Sequence, residues 1–224
     1  MSSSEHHDDA LRAIVAAVET LLPSPDGWAT PDGHASVGLA VIDSVWSIGV
    51  RYQSVENVIA RYRAERIAGG GDPDADRPED VRRFIEACGG AEDFAARMGN
   101  RQRTSTTNGV LKAEAVLREA RILEDEGVEV PADLAGADQE RLDHLQGRWS
   151  TVPGQASGVS WRAFAMLVGL PEVKPDRMIR RFVAAALGRP RETAVGVDEA
   201  RDLVMAAAAR LGVSPRALDH AIWA

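Results

Sequence analysis

Residues 152–158, with the sequence VPGQASG, have the residue types best suited to binding a phosphate. They place a proline, two glycines and small side chains directly before an apolar segment, 159–168, that we predict to be a helix. A helix N-terminus presents unsatisfied backbone N–H groups and the positive end of the helix dipole, and small residues let a ligand approach closely. The pattern indicates either a phosphate-binding hairpin or an ordinary turn between two helices.

An aspartate, Asp176, begins the next predicted helix, which covers residues 176–187. Aspartate is among the best residues for a helix N-cap, because its side chain accepts N–H groups that the first turn leaves unsatisfied. Residue type and position therefore predict an N-cap, and by themselves they require no chemical role.

The rest of the sequence predicts helices joined by short polar breaks, without a convincing strand, so the expected fold class is all-α. Residues 1–9 are expected to form a disordered tail. Residues 68–80 (AGGGDPDADRPED) are expected to form a solvated linker, because glycines and prolines alternate there with acids that repel one another. Further helices are predicted at 8–22, 37–48, from about 54, 79–88, 91–98, 107–126 and 134–145, and in two C-terminal segments, the last starting at Ser214 and Pro215.

Composition excludes several classes of protein. The 224 residues are 45% hydrophobic, and no apolar run approaches the roughly 20 residues that a membrane-spanning helix needs. The polar, acidic N-terminus is unlike a secretory signal, so we expect a cytoplasmic protein. The single cysteine, Cys88, excludes an internal disulfide and a cysteine-ligated iron–sulfur cluster, and the five histidines show no metal-ligand spacing with it.

The charge of the chain is unevenly distributed. The net charge of −8 argues against a protein that coats nucleic acid through charge alone. Residues 147–182, however, carry six basic and two acidic residues, a local net charge of +4. Because this segment includes residues 152–158 and Asp176, it predicts a small local site for a polyanion.

Three segments, taken in order, resemble the helix–hairpin–helix DNA glycosylases of the HhH-GPD superfamily, the group that includes endonuclease III. Residues 152–182 (VPGQASGVSWRAFAMLVGLPEVKPDRMIRRF) have that family's order of Pro-Gly hairpin, apolar helix, Gly-x-Pro and an aspartate before an Arg-Phe helix. Residues 112–134 (KAEAVLREARILEDEGVEVPADL) resemble the helix and acidic turn before the hairpin. Residues 39–62 (LAVIDSVWSIGVRYQSVENVIARY) resemble the helix pair that wedges the duplex and lines the base pocket. The resemblance covers about residues 37–187.

The resemblance implies a monofunctional DNA glycosylase, a monomer that removes a flipped, damaged or modified base from double-stranded DNA without a metal or a cofactor. Asp176 would then be the catalytic aspartate, which stabilises an oxocarbenium ion or activates water. The implied fold is one two-lobed helical domain over residues 10–224, with C-terminal helices at 196–222 packing on the N-terminal lobe. The implied DNA contacts are Pro153, Gly154, Gln155, Ala156, Ser157, Gly158, Lys174 and Arg177, and the implied base pocket is lined by Asp43, Trp46, Arg51, Tyr52 and Trp161.

Three positions depart from the family's pattern. Ala156 replaces the usual second glycine of the hairpin, and Gly49 replaces the glutamine with which several relatives wedge the duplex. Gly158 occupies the position of the Schiff-base lysine of bifunctional members, so lyase chemistry is not expected. The changes at Gly49 and Ala156 keep open a catalytically inactive helix–hairpin–helix module that binds DNA. The net charge of −8 keeps open a nucleotide- or protein-binding helical domain without a DNA role.

Asp43 lies within an otherwise apolar segment, residues 39–48. A buried carboxylate costs free energy unless it is paired. We therefore expect Asp43 to be paired with an arginine, and the alternatives are a second catalytic acid or a group that recognises the base.

Overall fold

The computed structural model of the chain describes residues 3–30 and 32–224. Within these residues every regular element is a helix, which confirms the all-α class. None of the helices in this part of the chain combines the length and the apolar character needed to cross a membrane. The α-helices are α1 (Ser3–Leu21), α2 (Val37–Trp46), α3 (Tyr52–Ala68), α4 (Pro78–Ala87), α5 (Ala91–Arg97), α6 (Lys112–Asp125), α7 (Ala132–Ala135), α8 (Gln139–Trp149), α9 (Val159–Leu167), α10 (Arg177–Ala186), α11 (Val197–Leu211) and α12 (Pro215–Trp223), and 3-10 helices lie at Pro25–Gly27 and Glu192–Ala194.

The chain divides into two compact units. The core unit is contiguous in sequence, Gly33–Leu170, and contains α2 to α9. The end unit combines Met1–Asp32 with Pro171–Ala224 and contains α1 and α10 to α12. The hairpin at 152–158 therefore belongs to the core unit, and Asp176 belongs to the end unit.

The core unit is built around α2, in which every residue is buried. The helix has the almost wholly apolar sequence VGLAVIDSVW, and Ser36 caps it by accepting the N–H of Leu39 at 3.0 Å. α2 packs against α3, α4, α6 and α9. At its C-terminal end the Trp46 ring packs edge to face on Phe94, with 6.1 Å between the ring centroids. This apolar packing places the whole of α2 in the core.

The end unit is stabilised by apolar contacts between the first helix of the chain and the last ones. Ile14 and Val18 of α1 are buried in one hydrophobic cluster with residues of α10, α11 and α12. α12 begins at the predicted N-cap, Ser214, with Pro215 as its first residue. The predicted C-terminal helices, 196–222, thus correspond to α11 and α12, which share a unit with α1.

The N-terminal residues differ from the predicted disordered tail. α1 begins at Ser3, so residues 3–9 are helical; Met1 and Ser2 lie outside the described residues. Two features support this start: Glu5 lies in the first turn, where a negative charge interacts favourably with the helix dipole, and Arg12 forms an ion pair with Asp9.

The solvated linker predicted at residues 68–80 is only partly correct, because most residues of this connection are exposed but not all. α3 continues to Ala68, α4 begins at Pro78, and the connection between them contains a buried acid, Asp76, which is 3% exposed. Its carboxylate accepts hydrogen bonds from Nε of Arg66 at 2.8 Å and from the hydroxyl of Tyr62 at 2.5 Å. The acids of this segment do not simply repel one another, because α3 presents arginines that pair with them.

Candidate functional site

The predicted hairpin lies between α8 and α9 of the core unit. Two of its residues have left-handed backbone, Gly154 at φ +86° and Gly158 at φ +73°, and Gly158 is the N-cap of α9. A Cβ atom added at Gly154 would lie 2.6 Å from Cβ of Thr104. Oγ1 of Thr104 also donates a hydrogen bond of 2.8 Å to the carbonyl of Pro153. Position 154 therefore requires glycine both for its backbone conformation and for its contact with Thr104.

The hairpin presents three backbone N–H groups that no described residue uses. The N–H groups of Gln155 and Gly158 are engaged in turns of the hairpin itself, each at 3.0 Å. The N–H groups of Gly154, Ala156 and Ser157 form no hydrogen bond within residues 3–30 and 32–224, and all three residues are exposed. Exposed donors of this kind beside a helix N-terminus are suited to a phosphate oxygen.

The side chain of Gln155 has a different role from the predicted DNA contact. It is 3% exposed, and its Oε1 accepts a hydrogen bond from the hydroxyl of Ser160. The same hydroxyl accepts the indole N–H of Trp149 at 3.0 Å. Gln155 therefore joins the hairpin to α8 and α9 from the inside, because burial requires its amide to be hydrogen-bonded.

The two tryptophans predicted for the base pocket are core residues instead. Trp46 is fully buried on α2, and Trp161 is 3% exposed. Trp161 packs on Trp149 and Phe164, with ring centroids 5.7 and 5.6 Å apart. Both rings are in the interior because they lie on the apolar helices α2 and α9, so neither offers a free face to a base.

Asp43 is paired, but with a histidine and a tyrosine rather than with the expected arginine. The Oδ2 atom of Asp43 lies 2.9 Å from Nε2 of His34 and accepts a hydrogen bond of 3.4 Å from the hydroxyl of Tyr52. The Asp43 side chain is 4% exposed, and its Oδ1 receives no hydrogen bond from a described residue. The three side chains form a polar cluster at one end of a buried helix.

Tyr52 and Arg51 are the exposed members of the predicted base pocket. Tyr52 is 46% exposed, and Arg51 is the exposed N-cap residue of α3. Partial burial, followed by the negative charge of Asp43, raises the pKa of Tyr52 to about 12. The hydroxyl therefore stays protonated at neutral pH and donates to Asp43. Of the five predicted pocket residues, the structure brings Asp43, Arg51 and Tyr52 to the same region.

Asp176 is an N-cap, as its position predicts. Its Oδ1 accepts the N–H of Met178 at 2.7 Å and the N–H of Ile179 at 3.3 Å, at the start of α10. Its Oδ2 receives no hydrogen bond from the residues that the structure describes, and the residue is half-buried. The cap fixes the carboxylate in place and leaves one of its oxygens available.

The basic segment at 147–182 presents less exposed charge than its composition suggests. Arg148 pairs with Glu126 at 2.8 Å, and Arg162 is only 7% exposed. Arg177, the first residue of α10, and Arg181 are exposed. Lys174, the other predicted basic DNA contact, is half-buried in the segment before α10.

Sequence reasoning missed Asp219, a buried acid of α12. It is 8% exposed, and its Oδ1 accepts the backbone N–H of Lys174 at 2.9 Å. Burial raises the pKa of Asp219 to about 7, with the negative charge of Asp176 adding to the effect. A signal was present in the sequence, because Asp219 precedes Ile222 by three positions and therefore lies on the apolar face of the predicted helix.

Glu119 is a second buried acid that the sequence reasoning missed. It lies on α6 and is fully buried, and neither of its carboxyl oxygens has a hydrogen-bond partner among the described residues. Burial raises its pKa to about 10, so the side chain is neutral at physiological pH. The available signal was its position four residues after Ala115 and three before Ile122, which places Glu119 on the apolar face of the predicted helix.

The geometry defines an all-helical protein of two compact units, with a glycine-dependent hairpin in one unit and a capped aspartate in the other. The chain belongs to the family described as Domain of unknown function (DUF8548), whose model matches residues 12–224. No curated protein and no solved structure matches it. In the part of the chain that the structure describes, no three His, Cys, Asp or Glu side chains are grouped so as to hold a metal ion.

Proposed function

We propose that this protein is a monofunctional DNA glycosylase, which hydrolyses the N-glycosidic bond of a flipped, damaged or modified base in duplex DNA. The observation that carries the proposal is Asp176, a carboxylate fixed by its cap on α10 with Oδ2 left without a partner among the described residues. The exposed N–H groups of the hairpin support it, because they suit a DNA phosphate.

The reaction needs a fixed negative charge and a water molecule. Cleavage of the bond between C1′ and the base nitrogen sends the electron pair to the base and leaves positive charge on the sugar. The Asp176 carboxylate would stabilise that charge through Oδ2, or accept a proton from the water that attacks C1′. Because Oδ1 is already held by two backbone N–H groups, little reorganisation of the carboxylate would be needed.

The lysines argue against a Schiff-base mechanism. The chain contains only Lys112 and Lys174. Lys112 is 3% exposed, and its ammonium donates hydrogen bonds of 2.8 Å to the carbonyls of Trp46 and Ile48. An ammonium held in this way is a cap for the end of α2 and not a nucleophile, and Gly158 replaces the lysine of bifunctional enzymes.

Recognition of the flipped base would fall to the cluster of Asp43, Tyr52 and His34 together with Arg51. The half-exposed Tyr52 ring offers a stacking surface, the exposed Arg51 offers hydrogen-bond donors, and the buried Asp43 carboxylate holds the Tyr52 hydroxyl. The buried Trp46 and Trp161 have no part in this recognition.

The test is base release from a panel of duplexes that carry damaged or modified bases, comparing the wild type with Asp176→Asn. Asparagine is also a good N-cap, so α10 should be preserved while the negative charge is lost. We expect the rate to fall by about 100-fold or more, the scale on which a preorganised electrostatic group acts. Gel or chromatographic detection of the free base measures it.

Asp138→Asn is the matched control, because Asp138 is also an N-cap and accepts the N–H of Arg141 at 2.8 Å. This variant should release base at the wild-type rate. Equal activity of Asp176→Asn and the wild type, or no release by the wild type from any duplex, would refute the proposal.

A catalytically inactive DNA-binding module is the second candidate. It is favoured by the cap role of Asp176, which accounts for this residue without any chemistry, and by the burial of both predicted pocket tryptophans. In that case the hairpin N–H groups would provide binding only.

Gly154→Ala tests the hairpin under either candidate function. The substitution would strain the left-handed backbone and push the hairpin away from Thr104, so we expect at least a 10-fold loss of affinity for duplex DNA. Fluorescence anisotropy over a series of salt concentrations measures the affinity and its salt dependence. Gly127→Ala is the control, because Gly127 has φ +68° but an added Cβ would touch nothing. If both variants bind DNA like the wild type, the hairpin is not the DNA contact.

A further inference from the structure

The backbone that carries Asp176 is anchored by a buried carboxyl of another helix. Oδ1 of Asp219, on α12, accepts the N–H of Lys174 at 2.9 Å. The carbonyl of Lys174 in turn accepts the N–H of Asp176 at 2.7 Å. Between them Pro175 is buried, and its ring restricts its φ. Both backbone polar groups of Lys174 are therefore engaged, one with Asp219 and the other with Asp176.

The second feature is the chemical setting of the Asp219 carboxyl. Burial is the largest cause that raises its pKa to about 7, and the charges of Asp176 and Glu172 raise it further. The N–H and the ammonium of Lys174 act in the opposite direction. From α11, Arg201 is directed at Glu172, with hydrogen bonds of 2.7 and 2.9 Å. From α10, the charge that acts on Asp219 is that of the N-cap, Asp176.

We infer that Asp219 is a positioning residue for Asp176, and that the proton on Asp219 controls how firmly the Lys174 peptide, and with it the Asp176 carboxylate, is held. This inference rests on the proposed glycosylase function for its consequence in the reaction. An ionised carboxylate accepts a shorter and stronger hydrogen bond from an N–H group than a neutral carboxyl does. Loss of the proton therefore tightens the bond to Lys174 and adds a second negative charge to the surroundings of Asp176.

Both changes act in the same direction on base release. A carboxylate of Asp176 that is held more firmly spends less time in unproductive orientations. The negative charge of ionised Asp219 also stabilises positive charge on the sugar. We therefore expect the rate of base release to rise as the pH passes through about 7, with an inflection that belongs to Asp219.

The first experiment needs no enzymatic activity. The backbone amide signals of Lys174 and Asp176 are followed by nitrogen–proton NMR from pH 5 to pH 9, in the wild type and in Asp219→Asn. Both signals should shift with a midpoint near 7 in the wild type, and this transition should be missing in Asp219→Asn, whose amide oxygen still accepts the Lys174 N–H but does not titrate. Asp26→Asn, which removes an exposed acid of the same unit, is the control. Its Lys174 and Asp176 amide signals should shift with the same midpoint as in the wild type. Absence of the transition in the wild type overturns the inference, even if the variant does not fold.

The second experiment is the pH profile of base release. Asp219→Asn should lose the inflection near pH 7, and Asp219→Ala, which also lacks the acceptor for Lys174, should lower kcat at least 10-fold with KM for DNA changed less than twofold. An unaltered inflection in Asp219→Asn would contradict the inference. If the wild type releases no base while the NMR transition is present, the glycosylase proposal fails and the coupling of Asp219 to the Asp176 backbone stands.

Discussion

Replacing Asp76 with alanine is expected to lower the free energy of unfolding by about 3–5 kcal/mol, the cost of removing one partner from a buried ion pair. Asp76 is 3% exposed and binds Arg66 through two hydrogen bonds, at 2.8 and 2.5 Å. The fully buried Tyr62 hydroxyl also donates to it at 2.5 Å. The substitution would leave a guanidinium and a phenol without an acceptor, and both would remain largely shielded from water. Urea unfolding followed by circular dichroism measures the effect.

Asp74→Ala is the matched control, because it removes an aspartate from the same connection. Asp74 also forms two hydrogen bonds with an arginine, Arg63, at 2.7 and 2.5 Å, but its side chain is 57% exposed. Exposed pairs contribute only about 0–1 kcal/mol, so this variant should unfold at nearly the wild-type urea concentration. Equal losses of unfolding free energy in the two variants would show that the burial of Asp76 does not determine its contribution to stability.

The stability of the protein should also depend on pH through Glu119. Its pKa is raised to about 10 in the folded state from an ordinary value of 4.5, so the folded state binds a proton that the unfolded state releases. The contribution of Glu119 to stability is therefore fully present below about pH 4.5 and is lost as the pH rises toward 10. The loss is about 1.4 kcal/mol per pH unit within this window.

Glu119→Gln removes this dependence, because the amide does not titrate. The difference in unfolding free energy between the variant and the wild type should grow in favour of the variant by about 2–3 kcal/mol between pH 6 and pH 8. Glu114→Gln is the control: Glu114 lies on the same helix but is partly exposed and paired with Arg118 at 2.7 Å. It should change stability by less than about 1 kcal/mol at either pH. If the difference in unfolding free energy between Glu119→Gln and the wild type is the same at pH 6 and pH 8, Glu119 is not a buried neutral acid.

Local sequence rules predicted most of the helices and two of their caps, because these depend on neighbouring residues. The helix predicted at 107–126 begins only at Lys112, and the one predicted at 134–145 is divided between α7 and α8. The N-cap role of Asp176 follows from its position at the start of a helix, and the start of α12 follows from the Ser214–Pro215 pair. The wholly buried α2 follows from its continuous apolar sequence. In each case the information lies within the segment concerned.

The pairing of charged residues could not be predicted in the same way. Asp76 and Arg66 are ten residues apart, and their contact depends on how the chain turns between α3 and α4. Asp43 has His34 as its partner because the segment before α2 returns to that helix. The composition of residues 68–80 indicates only that the acids repel one another. The fold, however, places Arg63 beside Asp74 and Arg66 beside Asp76.

Residue type alone also failed to separate pocket residues from core residues. Tryptophan and tyrosine are equally suited to stacking on a base, yet Trp46 and Trp161 are buried and Tyr52 is 46% exposed. The difference comes from position, because Tyr52 begins α3 whereas the tryptophans lie on apolar helices. The packing of α1 with α10 and α11 could not be derived from helical periodicity, because it joins segments that the whole core unit separates in sequence.

Because the end unit combines segments that precede and follow the core unit in sequence, the order of synthesis matters for α1. Residues 1–32 are synthesised before the core unit, whereas the helices that bury Ile14 and Val18 are synthesised after it. During translation of the whole core unit, α1 has no partner for its apolar face. A nascent chain interrupted before Pro171 would keep that face uncovered, and such chains are typical substrates of chaperones and proteases.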